Sequence, residues 1–393
     1  MDEEKKHLFG LIDKYKPESD YLAALNIEIG QGILDSSFDK IAGLGKKVLF
    51  CTGSGSMKRL GFYDRYIELF DRAGIEVVEH SGIKANPTLE QIEDGVKKAK
   101  EEQIDFLLAL GGGSIIDTAK AISVGIFGSV WDFVEKRATI KNALPIVANS
   151  TTSGTGSHVT PYAVITNSRT FEKKTLKDDR LLPKLSIIDI DITKHAPPYL
   201  VATTGFDVLC HALEVYTRSD CTKIAEEFAL RSLELIKTHL VNSFNNNGIE
   251  HKTGMAYADV YAGIALAILG THAAHAIAHP MSGRFPEITH GQALAYIMPK
   301  TVEVHMRDGD EAVNARFRKA SEILGGAENC ADTLNSLVRE LGLDKPVVAL
   351  NDADLDLIIS DTLGYRMGSI KRSPSEMGEK EIREIVYESL KTR

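Results

Sequence analysis

Apolar residues follow two different rhythms along this chain, and the change comes near its middle. Between residues 47 and 191 short β-rich runs alternate with helical patterns. Lys47-Val48-Leu49-Phe50-Cys51 leads to an amphipathic stretch around 65–70, then to Ile75-Glu76-Val77-Val78 and a charged helical pattern over 88–102. The run Ile104-Asp105-Phe106-Leu107-Leu108-Ala109-Leu110 follows, then a helix from Ser114 and the run Leu144-Pro145-Ile146-Val147-Ala148. Nearly continuous apolar strands separated by helices predict a parallel sheet covered by those helices. Beyond Pro197-Pro198 the strand pattern stops, and segments such as 224–230 and 377–390 read as helices broken by glycine or asparagine. An α/β domain over 1–195 followed by an all-α domain over 196–393 is therefore expected. With no repeat or low-complexity linker between them, the two are expected to enclose a shared cleft.

One segment imitates a membrane span. Residues 260–282 contain no Lys, Arg, Asp or Glu, yet they carry His272, His275 and His279. Titratable rings do not suit a lipid environment, so the segment reads as one buried helix of a soluble protein.

Composition narrows the function. The 393 residues, 43% apolar and 26% charged, are enough for two ordinary globular domains. Lys plus Arg number 46 against 55 Asp plus Glu, a net charge of −9, which supplies no basic excess for a nucleic acid or an anionic membrane. Cys51, Cys210, Cys221 and Cys330 form no C-x-x-C pair, which suits a reducing compartment and excludes a thiolate zinc site. The charged start of the chain lacks the apolar stretch of a signal peptide, so a cytoplasmic location is expected.

Three glycine- and hydroxyl-rich turns follow expected strands. They are Thr52-Gly53-Ser54-Gly55-Ser56-Met57-Lys58, Gly111-Gly112-Gly113-Ser114-Ile115-Ile116-Asp117-Thr118-Ala119-Lys120, and Ser150-Thr151-Thr152-Ser153-Gly154-Thr155-Gly156-Ser157. Glycine lets backbone N–H groups approach an anion, a helix N-terminus favours negative charge, and hydroxyls add donors. One such turn is ordinary in any α/β protein, but three at the carboxyl ends of parallel strands point to a nucleotide. None fits the P-loop pattern of a nucleotide hydrolase. The first turn offers Ser54 and Ser56, with Lys58 and Arg59 behind them, where an NAD-selective site would offer a carboxylate; this favours NADP(H) over NAD(H).

The second half carries a metal pattern. Asp207 and His211 stand at i and i+4, while His272, His275 and His279 stand at i, i+3 and i+7, with His290 after a loop. Three neutral imidazoles and a carboxylate suit Fe(II), Zn(II), Mn(II), Co(II) or Ni(II), and spacing does not choose among them. Four of the chain's 12 histidines crowd between 272 and 290, a placement that a metal explains better than core packing.

Taken together, these motifs resemble the iron-dependent (group III) alcohol dehydrogenases. The matching residues are Gly111-Gly112-Gly113-Ser114 with Asp117 and Lys120, the 151–157 run, Gly205-Phe206-Asp207 with His211 and Glu214, His275 through Pro280, and His290-Gly291. The resemblance implies a doubly wound, Rossmann-like cofactor domain and a helical metal domain, a dehydroquinate synthase-like architecture. It implies Asp207, His211, His275 and His290 as metal ligands, with iron expected and zinc an alternative, and puts His279 near the substrate. Cofactor contacts are implied for Gly112, Gly113 and Ser114 at the pyrophosphate, for Asp117, Thr151, Thr152 and Thr155 around the nicotinamide, and for Lys173 near the ribose. The first turn, with Gly53, Ser54 and Ser56, is similar to that of the butanol-dehydrogenase and NADPH-dependent aldehyde-reductase branch. A homodimer or larger assembly is implied.

The expected reaction is reversible hydride transfer between a primary or secondary alcohol, or its aldehyde or ketone, and NAD(P). The metal acts as a Lewis acid on the substrate oxygen, with His279 as a candidate proton carrier. Polyol dehydrogenase or dehydroquinate synthase-like lyase chemistry on the same scaffold, or a metallohydrolase, are the competing readings.

Overall fold

A computed structural model describes residues 2–245 and 248–390, which divide into two compact units, Met1–Ala196 and Pro197–Arg393. The first unit is built on a six-stranded parallel sheet. Its strands are β1 (Ile27–Gly30), β2 (Lys47–Thr52), β3 (Glu76–His80), β4 (Phe106–Gly111), β5 (Ile146–Ser150) and, after a separate two-stranded hairpin of β6 (Tyr162–Thr166) and β7 (Lys173–Lys177), β8 (Leu185–Asp189). The order across the sheet is β1-β8-β5-β4-β2-β3.

The apolar runs are continuous because both sheet faces are buried. Val48 and Phe50 of β2, with Phe106 and Leu108 of β4, pack on Tyr63, Tyr66 and Phe70 of the helix Phe62–Ala73. Leu49 and Cys51, with Leu107 and Ala109, face the opposite way, onto Ile92 of the helix Leu89–Glu101 and onto Ile116 and Ile122 of the helix Gly113–Gly125. From β2 the chain passes outward to β3, then returns across β2 to β4 and continues outward on that side. The order thus reverses between β2 and β4, and a crevice beyond the carboxyl ends of strands at such a reversal is where α/β sheets take ligands. The first two glycine-rich turns leave β2 and β4.

The second unit is helical, with long buried helices at Pro198–Thr217, Lys223–Asn245, Ile249–Leu269 and His290–Asp308. One expectation is corrected here. The uncharged stretch 260–282 is not one helix: Ile249–Leu269 and Ala273–Arg284 meet at a 102° bend. Gly270 makes the bend possible with φ +80°, a conformation that side chains with a Cβ rarely adopt. His272 consequently precedes the second helix as its N-cap residue instead of sharing a face with His275 and His279. Among the described residues no single helix is long and apolar enough to cross a membrane.

Candidate functional site

In the first unit the second and third turns touch. A Cβ on Gly113 would lie 2.4 Å from Thr155 Oγ1, and one on Gly112 would lie 3.0 Å from Thr152 Oγ1, so these glycines are what lets the two turns close on each other. Thr151 N–H donates to Gly111 O at 3.1 Å. The helix Gly113–Gly125 begins with no side-chain cap and no acidic residue in its first turn, which leaves its leading N–H groups for an anion. Gly53 of the first turn rests against Ile115 of the second, its virtual Cβ 3.1 Å from Ile115 Cδ1.

Two side chains of that helix staple the third turn in place. Ser157 Oγ and the Val164 N–H donate to the two carboxylate oxygens of Asp117 at 2.5 and 2.9 Å. Lys120 is completely buried, and its ammonium donates to the carbonyls of Ser157, Thr160 (2.6 Å) and Tyr162 (2.8 Å). Burial pushes its pKa down to about 7 against the pull of Asp117, and burial raises that of Asp117 in turn. Lys173 is buried and donates to Asn86 Oδ1 at 2.7 Å, whereas the neighbouring Lys174 is taken by Glu135 and Glu172.

At the first turn, Ser54 and Ser56 flank Gly55, which holds φ +110°. The structure adds a carboxylate that the sequence reading passed over. Glu79, at the end of β3, accepts from Tyr63, from Ser81 Oγ at 3.0 Å and from Lys58 at 3.3 Å. Its negative charge is therefore partly answered by a cation of the same turn.

The second unit assembles the metal-binding pattern. Asp207, His211 and Glu214 form one buried stripe along Pro198–Thr217, the i, i+4, i+7 spacing that keeps side chains on one helix face. His275 and His279 come from Ala273–Arg284, and His290 opens the helix His290–Asp308. Around Asp207 Oδ1 stand His275 Nε2 at 3.3 Å, His211 Nε2 at 3.5 Å and His290 Nε2 at 3.9 Å. The donor atoms of Asp207, His211 and His275 lie within 4.8 Å of one another, close enough to share one ion. His290 reaches this group because Gly291 touches the neighbouring helix; a Cβ there would fall 1.9 Å from the Thr203 carbonyl oxygen.

Electrostatics agree with a cation site. Burial alone would raise the Asp207 pKa, but the imidazoles of His211, His290 and His275 hold it well below the usual carboxylate range, so it stays an anionic donor. Three imidazoles and one carboxylate, all but His290 nearly sealed from water, fit a divalent transition metal. His279 is buried with its ring centroid 4.9 Å from that of His290.

Glu214 is the residue whose role the sequence left unread. It is 1% exposed, accepts the Ala274 N–H at 2.8 Å, and takes a close hydrogen bond from His275 Nδ1. That bond turns His275 Nε2 towards Asp207, the carboxylate–histidine support common behind metal ligands. Glu214 also stands 3.2 Å from His272 Nδ1, whose Nε2 lies 3.2 Å from Thr217 Oγ1. His272 therefore belongs to the support and faces away from the cage. The spacing Asp207, His211, Glu214 was the available signal.

Residues 25–190 match the family model described as iron-containing alcohol dehydrogenase, and residues 201–390 match that of the C-terminal region of the Fe-containing alcohol dehydrogenase family. The chain is 33% identical over 305 residues to an NADPH-dependent butanol dehydrogenase of Clostridium saccharobutylicum, covering 76% of this chain and 77% of that protein. It is 31% identical over 296 residues to NADH-dependent butanol dehydrogenase A of Clostridium acetobutylicum, covering 74% and 76%. A halo-thermophilic archaeal alcohol dehydrogenase from a Red Sea brine pool superposes with a TM-score of 0.89 at 35% identity, over 93% of this chain and 97% of that one.

Proposed function

We propose, from the premise that this chain belongs to the iron-containing alcohol dehydrogenase family, that it reduces short-chain aldehydes with NADPH, using ferrous iron held by Asp207, His211, His275 and His290. Membership makes it an NAD(P)-linked oxidoreductase of alcohols and aldehydes, and its relatives do not favour lyase or hydrolase chemistry. The observation that carries the reading is the approach of three imidazole Nε2 atoms to the single oxygen Asp207 Oδ1.

A divalent metal at these donors supplies Lewis acidity to the substrate oxygen, and the nicotinamide carries the hydride. The chain's own residues prepare this. Asp207 stays ionised, and Glu214 holds the proton of His275 at Nδ1, keeping the Nε2 lone pair available. His279 is the candidate to move the proton that must join or leave the substrate oxygen, since an imidazole titrates in the working range and this one stands beside His290.

For the cofactor, Gly112, Gly113 and Ser114 offer N–H groups at the start of their helix for the pyrophosphate. Thr151, Thr152 and Thr155 face the nicotinamide side, Gly53 lets the backbone approach, and Lys173 serves the ribose. Asp117 acts on the nicotinamide side by holding the third turn through Ser157 and Val164. The NADPH preference is supported by Ser54 and Ser56, and by Lys58, whose charge tempers Glu79. Zinc is the alternative metal, and a homodimer or larger assembly in the cytoplasm completes the reading.

The test is anaerobic kinetics on metal-stripped protein reloaded with Fe(II) or Zn(II), following NADPH and NADH oxidation with butyraldehyde. Metal-dependent turnover preferring NADPH is expected. Preference for NADH would overturn the cofactor assignment alone; metal-independent turnover would overturn the assignment of the four ligands.

A further inference from the structure

A carboxylate and a cation meet at the edge of the first glycine-rich turn. β2 runs into that turn, and β3 is its neighbour at the sheet edge, with Phe50 level with Glu79 and Cys51 level with His80. The chain leaving β3 is tied back onto the turn. Thr52 Oγ1 donates to Ser81 Oγ at 3.1 Å, and the N–H groups of Gly82 and Ile83 donate to the carbonyls of Gly53 and Thr52 at 3.3 and 3.2 Å. Glu79 therefore stands near the carboxyl end of the strand beside the one that carries the turn. In a βαβ nucleotide unit this is the place of the acid that accepts the 2′-hydroxyl of the adenosine ribose.

The carboxylate is held in place and charged. Tyr63 donates to Oε1, while Ser81 at 3.0 Å and Lys58 at 3.3 Å donate to Oε2. The Tyr63 hydrogen bond, aided by Ser81 and Lys58 against burial, keeps Glu79 below the usual carboxylate range, so it is an anion at neutral pH. A carboxylate oxygen accepts about two hydrogen bonds, and Oε1, which takes Tyr63, has room for a hydroxyl. Lys58 is the looser partner. Its Nζ also lies 4.1 Å from the Tyr63 ring centroid, and its side chain and that of Glu79 are both nearly half exposed, so their ion pair costs little to break.

Resting on the reading that the first turn takes the adenosine ribose, we propose that Glu79 and Lys58 together set the choice between NADH and NADPH. With NADH, Lys58 stays on Oε2 and Oε1 accepts the 2′-hydroxyl. With NADPH, the carboxylate repels the 2′-phosphate, and Lys58 leaves Oε2 for a phosphate oxygen. Glu79 thus works against the phosphate that Ser54 and Ser56 admit, and Lys58 works for it.

The test is calorimetric titration with NADPH and NADH, and with adenosine 2′,5′-bisphosphate and AMP, which differ by the 2′-phosphate alone. KM for both cofactors is measured beside it with butyraldehyde. Glu79→Gln keeps the shape and removes the charge. It is expected to tighten NADPH and the bisphosphate and to weaken NADH and AMP, raising the ratio of NADPH to NADH affinity by about 10- to 100-fold. Lys58→Met is expected to lower the same ratio by about tenfold. A merely structural role would move all four ligands together, so an equal change across them overturns the proposal, as does an unchanged ratio in Glu79→Gln. A wild type that prefers NADH, with the ratio still rising in Glu79→Gln, would sink the NADPH preference and keep Glu79 as the selector. A wild type that prefers NADPH, with the ratio fixed in both variants, would do the reverse.

Discussion

Replacing Glu214 by glutamine tests whether the metal cage is held from behind. The change keeps the shape of a side chain that is 1% exposed but removes its charge and turns one oxygen into an NH2 group. Two donors now point at those oxygens, His275 Nδ1–H and the Ala274 N–H. A glutamine can accept from only one of them and must face the other donor to donor. If its NH2 faces the imidazole, His275 has to move its proton to Nε2, the atom aimed at Asp207, where a proton blocks a metal. If it faces Ala274, a buried N–H is left without an acceptor, at about 1–3 kcal/mol. Either way metal affinity is expected to fall by about 10- to 100-fold, roughly 1.4–2.7 kcal/mol. The assay is anaerobic competition of the protein against a chelator for Fe(II) and Zn(II), with the melting temperature of metal-free protein as a check on folding. A variant that binds both metals within about twofold of the wild type refutes the supporting role of Glu214.

Three further outcomes are expected. Ser54→Asp places a carboxylate where the 2′-phosphate is taken to bind, so KM for NADPH should rise by about tenfold or more while KM for NADH stays nearly constant; equal effects on both would refute the cofactor assignment. Gly291→Ala drives a methyl group into the Thr203 carbonyl, a backbone atom that cannot swing aside, so metal binding should weaken and stability fall by about 2–4 kcal/mol in denaturant titration; an unchanged midpoint would refute the close contact. His158 is buried and its pKa is pushed down to about 3, by burial first and then by Lys120. Because the folded state resists the proton that the unfolded state binds below about 6.5, this histidine's contribution is intact above that pH and lost as pH falls towards 3. Between pH 7.5 and 5 it should cost the wild type about 2 kcal/mol, and His158→Gln should remove that slope from urea titrations.

What the sequence disclosed depended on whether one side chain's neighbours were periodic. β2 and β4 were readable because both faces are buried, which turns Val48–Cys51 and Phe106–Leu110 into unbroken apolar runs. β1 is four residues long, and β7 carries Lys173, Lys174 and Lys177, so neither announces itself as a strand. Their pairing is fixed by β8 and β6, partners that local pattern does not contain. The bend at Gly270 was hidden for a related reason. An uncharged run offers no polar face, so nothing in its period marks where it breaks.

The metal cage shows the same division. Asp207 and His211 share one helix face, and their pairing follows from spacing alone. His275 and His290 reach them through contacts between helices, including the approach of Gly291 to Thr203. The glycine was visible in the sequence, but its reason was not. Glu214 lay on the face already recognised and could have been assigned by extending the stripe one turn, since a ligand imidazole needs an acceptor for its second nitrogen. The donors gathered around Asp207 are thus specified partly by spacing within one helix and partly by contacts between helices, and only the first kind is written in the local sequence.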